Sequence, residues 1–184
     1  MTSGLYLDTA TLEAGLEHIR QSPRDAGTIE MIVRRPDVDQ REELEKAELD
    51  LDRGVMGDNW RSRGNELDDD SEYADTQVTL MNARVIGLVA QSRERWALAG
   101  DQFFVDFDLS AEYLPPGTRL QLGPAILEIT EMPHRGCAKF AGRFGADALR
   151  FVNTGIGRAL SMRGIYGRVV VAGTVRRGDQ IEKL

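Results

Sequence analysis

The chain has 184 residues, enough for one domain that buries most of its apolar surface and folds without staples. At 41% hydrophobic and 29% charged residues, with a formal net charge of −7, it reads as an ordinary globular protein with no expected affinity for nucleic acid or an anionic membrane surface. No run approaches the roughly 18 apolar residues of a membrane span, no basic region followed by an apolar core suggests a secretion signal, and the single cysteine cannot form an internal disulfide, so a cytoplasmic location is expected.

In chain order, Thr9 can cap a helix over Ala10 to Gln21 with Leu12, Leu16 and Ile19 on one face, ended by Ser22-Pro23. Ile29, Met31 and Val33 alternate as in a strand with one buried face, broken at Pro36-Asp37. Ala47, Leu49 and Leu51 alternate with acids and suggest a second strand. Gly54 to Asp75, with three glycines and seven acids, reads as a long surface loop. Gln77 to Met81 looks like a strand, and Asn82 can cap a helix over Ala83 to Gln91. Phe103, Val105 and Phe107 alternate as a strand, and Leu114-Pro115-Pro116-Gly117 is a turn. A hairpin around Gly123-Pro124 joins Leu120 and Leu122 to Ile126 and Ile129. Cys137 to Phe144 and Ala146 to Asn153 read as helices separated at Gly145, Ile165 to Val171 as a strand, and Val175 to Ile181 as its return after Gly173. Many short strands with glycine and proline turns favour a barrel or sandwich, and the interspersed helices make the class α+β, β-rich: a β-barrel core with peripheral helices. Residues 1–53 are expected to be integral to the barrel and 54–184 to form its main part, in one structural domain.

The charge is uneven. Met132 to Arg177 holds nine basic residues (Arg135, Lys139, Arg143, Arg150, Arg158, Arg163, Arg168, Arg176 and Arg177) against one acid, Asp147, so this segment carries +8 and the remainder −15. Two readings stand: solvated faces of different sign, or a pocket for a small anion such as a phosphate.

Within that segment lies Pro133-His134-Arg135-Gly136-Cys137-Ala138-Lys139-Phe140. A thiol reacts as its thiolate, and both a helix N-terminus and neighbouring cations lower its pKa. Cys137 opens an apolar-periodic segment after a turn, flanked by Arg135 and Lys139, with His134 near enough to exchange a proton. That arrangement suits a nucleophilic or metal-ligating sulfur; the alternative is a small buried hydrophobe. A Cys137–His134 hydrolytic dyad is disfavoured by the local spacing. Two histidines and one cysteine build no closed zinc site without carboxylates. His18 falls on the polar side of the first helix. Asp68-Asp69-Asp70 with Glu72 lacks calcium-loop spacing and reads as a solvated loop. Gly54-Val55-Met56-Gly57-Asp58 is too short for a phosphate loop, and Gly155-Ile156-Gly157 reads as a turn.

The segment Gly100 to Val152 resembles the core of MOSC domains, named for the C-terminus of molybdenum cofactor sulfurase. The resemblance lies in Gly100-Asp101-Gln102-Phe103, in Leu114-Pro115-Pro116-Gly117-Thr118-Arg119-Leu120, in the strand Gly123-Pro124-Ala125-Ile126-Leu127-Glu128-Ile129-Thr130, and in the motif joining Pro133 to Cys137, Lys139 and Phe140. Arg163 to Leu184 resembles the family's closing strands, and Gly54 to Asp58 its Gly-x-x-Gly-Asp element. After that element members carry Arg-His or similar where this chain has Asn59-Trp60, and the acidic stretch from Ser62 to Asp75 departs from the family pattern.

The resemblance implies a small stand-alone member with a β-barrel fold. It implies Cys137 at the position of the family's reactive cysteine; the spacing, not the resemblance, offers His134 as its proton partner. It also implies a molybdenum cofactor (molybdopterin) ligated by Cys137; the basic segment offers Arg135, Gly136, Lys139, Arg163 and Arg168, and the Gly-x-x-Gly-Asp element Asp58 and Asn59, as the residues around it. The activity implied is reduction of N-oxygenated small molecules with electrons from a separate donor. The alternatives are a sulfur carrier, with a persulfide on Cys137 loaded by a cysteine desulfurase, and a non-catalytic module for a small anion.

Overall fold

The computed structural model describes residues 6–63 and 74–184. Asp68 to Asp70 and Glu72 lie outside the described residues.

Eleven strands are described: β1 Gly27–Arg34, β2 Glu42–Leu44, β3 Lys46–Asp50, β4 Gly54–Val55, β5 Val78–Asn82, β6 Phe103–Asp106, β7 Arg119–Leu122, β8 Ala125–Ile129, β9 Ile165–Val171, β10 Gly173–Arg176 and β11 Gln180–Lys183. Seven of them close a barrel in the order β1-β11-β7-β8-β9-β5-β6, with β6 returning to β1 and β2 added outside β1. Within the barrel neighbours run antiparallel except β5 and β6. That parallel pair needs a crossover, and helix α4 (Ala83–Ala90) followed by a 3₁₀ helix (Arg93–Ala99) supplies it. The remaining strands form a small sheet, β10-β3-β4, which adds Ala47, Leu49, Val55 and Val175 to the barrel's apolar core. The expected β-rich α+β barrel with peripheral helices is therefore the architecture observed.

There are two cores. One fills the barrel, with Ile29, Ile32, Leu80, Phe103, Val105, Phe107, Leu127 and Ile181 among its members. The other lies between the wall and the helices: α1 (Thr9–Ala14), α2 (Leu16–Arg20), α4, α5 (Ala138–Phe144), α6 (Ala146–Asn153) and α7 (Gly155–Ala159). Met31, Val33, Met81 and Phe104 reach it from the strands, and Leu12, Ile19, Val85, Phe140, Phe144 and Phe151 from the helices. Strands β1, β5 and β6 are therefore covered on both faces, which is why they read as nearly unbroken apolar runs.

Several local expectations are corrected. The first helix is capped by the Asp8 side chain, which accepts from the Thr11 N–H at 2.9 Å, and it is divided at Gly15. A Cβ at Gly15 would stand 2.5 Å from the Leu88 side chain, so the break also packs closely on α4. In β1 a bulge between Ile29 and Met31 changes the register. Ile29 then joins the barrel core, while Met31 and Val33 turn to the helices, so the strand has no single buried face. Val175 to Ile181 is not one strand; it is β10, a turn through Gly178 (φ +87), and β11 in the other sheet. The Gly54–Asp75 stretch is not all loop, since β4 and α3 (Trp60–Arg63) lie within it. Asn82 caps α4 as expected, accepting from the N–H groups of Arg84 and Val85.

Phe103 is fully buried in the barrel, at the point where β5, β6 and β1 meet. Phe103→Ala is expected to destabilise the protein by about 3–5 kcal/mol, read as a shift in the urea midpoint; a loss below about 1 kcal/mol would show that the barrel interior is not close-packed there.

Candidate functional site

The site is built on an extended strap, Met132 to Cys137, that leaves β8 and feeds α5. Thr130 fixes its start: its N–H donates to the Tyr166 carbonyl and its hydroxyl to the Asp75 carbonyl. Asn153, at the end of α6, fixes its far side. The Asn153 amide accepts from the Gly136 N–H at 3.0 Å and donates to the Gly136 carbonyl at 3.1 Å, a two-way clamp on the residue before the cysteine. A Cβ at Gly136 would lie 2.7 Å from the Leu149 side chain and 3.2 Å from that of Val152, so the strap runs close against α6 here.

Cys137 is exposed and occupies the N-cap of α5. Partial burial raises its thiol pKa, but the Phe140 and Lys139 backbone N–H groups at the helix start and the charges of Arg163 and Lys139 outweigh this, and the net shift is downward. The thiol opens on a cleft of about 700 Å³. Among the described residues cations dominate its lining: Arg35, Arg41, Arg135, Lys139, Arg143 and Arg163, against one acid, Asp39. Trp60, Thr76, Thr79, His134, Phe140 and Tyr166 complete much of the wall. A smaller cleft of about 240 Å³ lies across the strap and shares Met132 to Arg135, Arg163 and Tyr166 with the first.

Beneath the cleft is a buried charge network. Asp101 has no exposed side-chain surface; its Oδ2 accepts from Arg163 at 2.7 Å, and Arg163 also donates to the Ala99 carbonyl at 3.0 Å. Arg35 is held the same way. Two of its guanidinium nitrogens reach the two oxygens of the fully buried Asp58 carboxylate, at 2.9 and 2.8 Å, and a third donates to the Gly100 carbonyl at 2.8 Å. Burial raises the Asp101 pKa against the pull of Arg163 and Arg35. The His134 ring stacks on Tyr166 with centroids 4.4 Å apart, and its Nδ1 lies 3.6 Å from Asp101 Oδ1. Burial, with Arg163 and Arg35 nearby, pushes the His134 pKa well below 6.5, so the ring is neutral at neutral pH.

The expected site residues divide. Cys137, His134, Arg135, Lys139 and Arg163 line the cleft together, and Gly136 is the clamped backbone beside them. Arg168 does not line it; it sits on β9 and pairs with Glu128 at 2.6 Å and Asp75 at 3.9 Å. Alternation along β9 and those acidic partners hold it away. Asp58 and Asn59 are not lining residues either. Asp58 is spent on Arg35 and on the Trp60 N–H, and Asn59 donates its backbone N–H to the Arg35 carbonyl. They act through Arg35, which the sequence reading missed together with Asp101 and Asn153. Asp101 carried a signal, as a lone acid between Gly100 and an apolar strand; Arg35 and Asn153 carried none.

No protein-family model matches the chain. None of the curated proteins matches it. Among solved structures, the YuaD protein from Bacillus subtilis is similar over 88% of this chain and 97% of that one, with a TM-score of 0.62 at 18% identity. YiiM from Geobacillus stearothermophilus is similar over 86% and 75%, with a TM-score of 0.58 at 12% identity. YiiM from Escherichia coli is similar over 85% and 69%, with a TM-score of 0.53 at 14% identity. At these identities the likeness is one of fold. Among the described residues no helix is long and apolar enough to cross a membrane.

Two outcomes follow. Iodoacetamide should alkylate native Cys137 at mildly acidic pH faster than it alkylates a model peptide thiol; modification only after denaturation would exclude an accessible reactive thiol. The second concerns pH. The folded pKa of His134 is depressed, so the unfolded chain binds the extra proton, and the associated stability is complete above 6.5 and lost as pH falls toward the folded value. Urea midpoints measured on acidification from neutrality should fall more steeply for the natural protein than for His134→Gln, and equal slopes would refute the assignment.

Proposed function

We propose that this chain is a MOSC-type barrel that binds a molybdenum cofactor through the Cys137 thiolate and takes part in the reduction of N-oxygenated small molecules. The observation that carries the reading is an exposed thiol, its pKa lowered, at the head of a helix inside a cation-lined cleft. The sequence resemblance and the barrel fold support it.

The residues present fit such a group. Among the described residues no cluster of three His, Cys, Asp or Glu side chains is gathered for a metal, so a metal at Cys137 must bring the rest of its ligands with it, as a pterin dithiolene does. A phosphate on that pterin calls for donors with spare hydrogen bonds. Arg163 and Arg35 are paired with Asp101 and Asp58, and the Arg163 Nε that stays unpaired is buried, whereas Arg135 and Lys139 make no ion pair among the described residues. Arg135 and Lys139 would therefore hold the phosphate, and Cys137 would hold the metal. When bound, the cofactor supplies the two-electron exchange.

The chain's own part is positioning. The Asn153 clamp sets where the thiol stands, and the cations favour its ionised form. Reduction of an N–O bond to an amine and water consumes two protons, and the neutral His134 ring, which lines the cleft, can accept a hydrogen bond from the group that brings one of them. The electrons come from a separate donor.

A second reading, a sulfur carrier loaded by a cysteine desulfurase, is favoured by the exposure of the Cys137 thiol, since a partner's persulfide could reach it.

Metal and pterin analysis of protein made in a cofactor-competent host separates the readings. About one molybdenum per chain, lost in Cys137→Ala and reduced in Lys139→Ala, is the expected result. Cyanolysable sulfur without metal would replace it with the carrier, and neither would leave a binding module for a small anion. A hydrogen bond from a charged donor contributes about 1.5–3 kcal/mol, so Arg135→Ala or Lys139→Ala should weaken binding by one to two orders of magnitude.

A further inference from the structure

Three atoms under the cleft are buried without a hydrogen-bond partner among the described residues: Asp101 Oδ1, His134 Nδ1 and Arg163 Nε. Two of them face each other. Asp101 Oδ2 is taken by Arg163, which leaves Oδ1 turned to His134 Nδ1 at 3.6 Å. The imidazole is 8% exposed and the carboxylate 0%. Buried polar atoms are nearly always paired, and closing this gap by about half an ångström makes an ordinary N–H···O bond. The neighbouring backbone is built for that approach. Gly164 (φ +107) has a conformation that side chains rarely adopt, and a Cβ there would lie 3.2 Å from His134 Nδ1, 3.3 Å from Asp101 Oδ1 and 2.4 Å from the Leu80 carbonyl. Only glycine leaves the pair uncrowded.

We propose that Asp101 is a positioning residue that fixes His134 with its proton on Nδ1, so that Nε2 meets the cleft as a hydrogen-bond acceptor and the ligand beside Cys137 must bring an N–H or O–H to it. A carboxylate only accepts, so the nitrogen that pairs with it must donate. The groups facing the ring are the Asp101 carboxylate before β6, the Arg163 guanidinium before β9, the Arg35 guanidinium after β1 and the Tyr166 ring on β9. Two guanidiniums oppose a second proton on the imidazole, so a single N–H must serve, and Asp101 claims it. Nε2 is the nitrogen left for the clefts that the ring lines. The consequence is a division of recognition. Arg135 and Lys139 take the anionic part of a ligand, while His134 turns an anion away and selects a donor, as an amine, a ring N–H or an N-hydroxyl would provide.

The inference rests on the reading of this cleft as a ligand site, but its test needs neither ligand nor metal. The chain has only two histidines, and His18 is exposed, so long-range proton–nitrogen spectra of uniformly labelled protein at neutral pH contain two imidazoles, which His18→Gln assigns. The expected spectrum has His134 neutral, with Nδ1 protonated and Nε2 bare. In Asp101→Asn the amide keeps its oxygen on Arg163 and turns its NH₂ to Nδ1, and the proton should move to Nε2. A natural protein whose His134 is protonated on Nε2, on both nitrogens or on an exchanging mixture would overturn the proposal. So would a folded Asp101→Asn that keeps Nδ1–H. If Asp101→Asn does not fold, the spectrum of the natural protein decides alone. Molybdenum analysis can fail while this result stands, and the reverse, so the two ideas are judged separately.

Discussion

The Asp101 carboxylate has no exposed surface, and it stands where the barrel wall meets the helix layer. A charge placed there without partners costs several kcal/mol, and its surroundings are arranged to remove that cost. Arg163 crosses from the turn before β9 to meet it, and the guanidinium also lies over the Phe140 ring, with its carbon 5.2 Å from the centroid. Phe140 belongs to α5, the helix that Cys137 heads. One buried acid therefore ties together the start of β6, the approach to β9 and the helix carrying the thiol. The Arg35–Asp58 pair repeats the device at the end of β1, so the floor of the cleft is a set of charges that already neutralise one another.

That neutrality decides which cations can work on a ligand. Counting arginines along the sequence gives a strongly basic segment, but much of that charge is committed: Arg150 to Asp147, Arg168 to Glu128, Arg177 to Glu45 and Arg163 to Asp101. Arg143 is partly committed, to the Leu98 carbonyl and Asp39. The charge that a small anion would feel comes chiefly from the rim, where Arg135 and Lys139 stand on either side of Cys137. Rim charges are screened by salt within about 10 Å at moderate ionic strength, whereas the buried pairs are not. Ligand affinity should thus depend on salt while the shape of the site does not.

The class of fold and the thiol's place in it were legible in the sequence because they rest on short-range patterns. Alternating apolar residues, the turn at Gly117 (φ +85) and the Asn82 cap are local chemistry, and the Pro-Gly strap before Cys137 announced a helix start. What failed to read were features set by partners distant in sequence. The β1 bulge exists because Ile29 and Ile32 must enter the barrel while Met31 and Val33 meet the helices, and nothing within β1 says so. Asp58 looked like a pocket residue because its motif is Gly-rich, yet it is claimed by Arg35, 23 residues upstream. Arg168 looked like a ligand residue because its segment is basic, yet Glu128 lies beside it on β8. Asn153 offered no pattern at all; its amide matters only because α6 ends against the strap.

The strap itself explains how a loop can hold an exposed thiol steadily. An unsupported segment between two clefts of about 700 and 240 Å³ would have solvent on both faces and few fixed hydrogen bonds. Here its backbone is bound at both ends, by Thr130 to β9 and by Asn153 to α6, and its middle is weighted by His134 stacked on Tyr166. Helix α6 in turn is seated through Ala148, Phe151 and Val152 in the core between barrel and helices. The position of the Cys137 sulfur is therefore inherited from the packing of that second core. A substitution deep in that core, touching no residue of the cleft, would move the thiol against the fixed cations below it and change its chemistry without changing its composition.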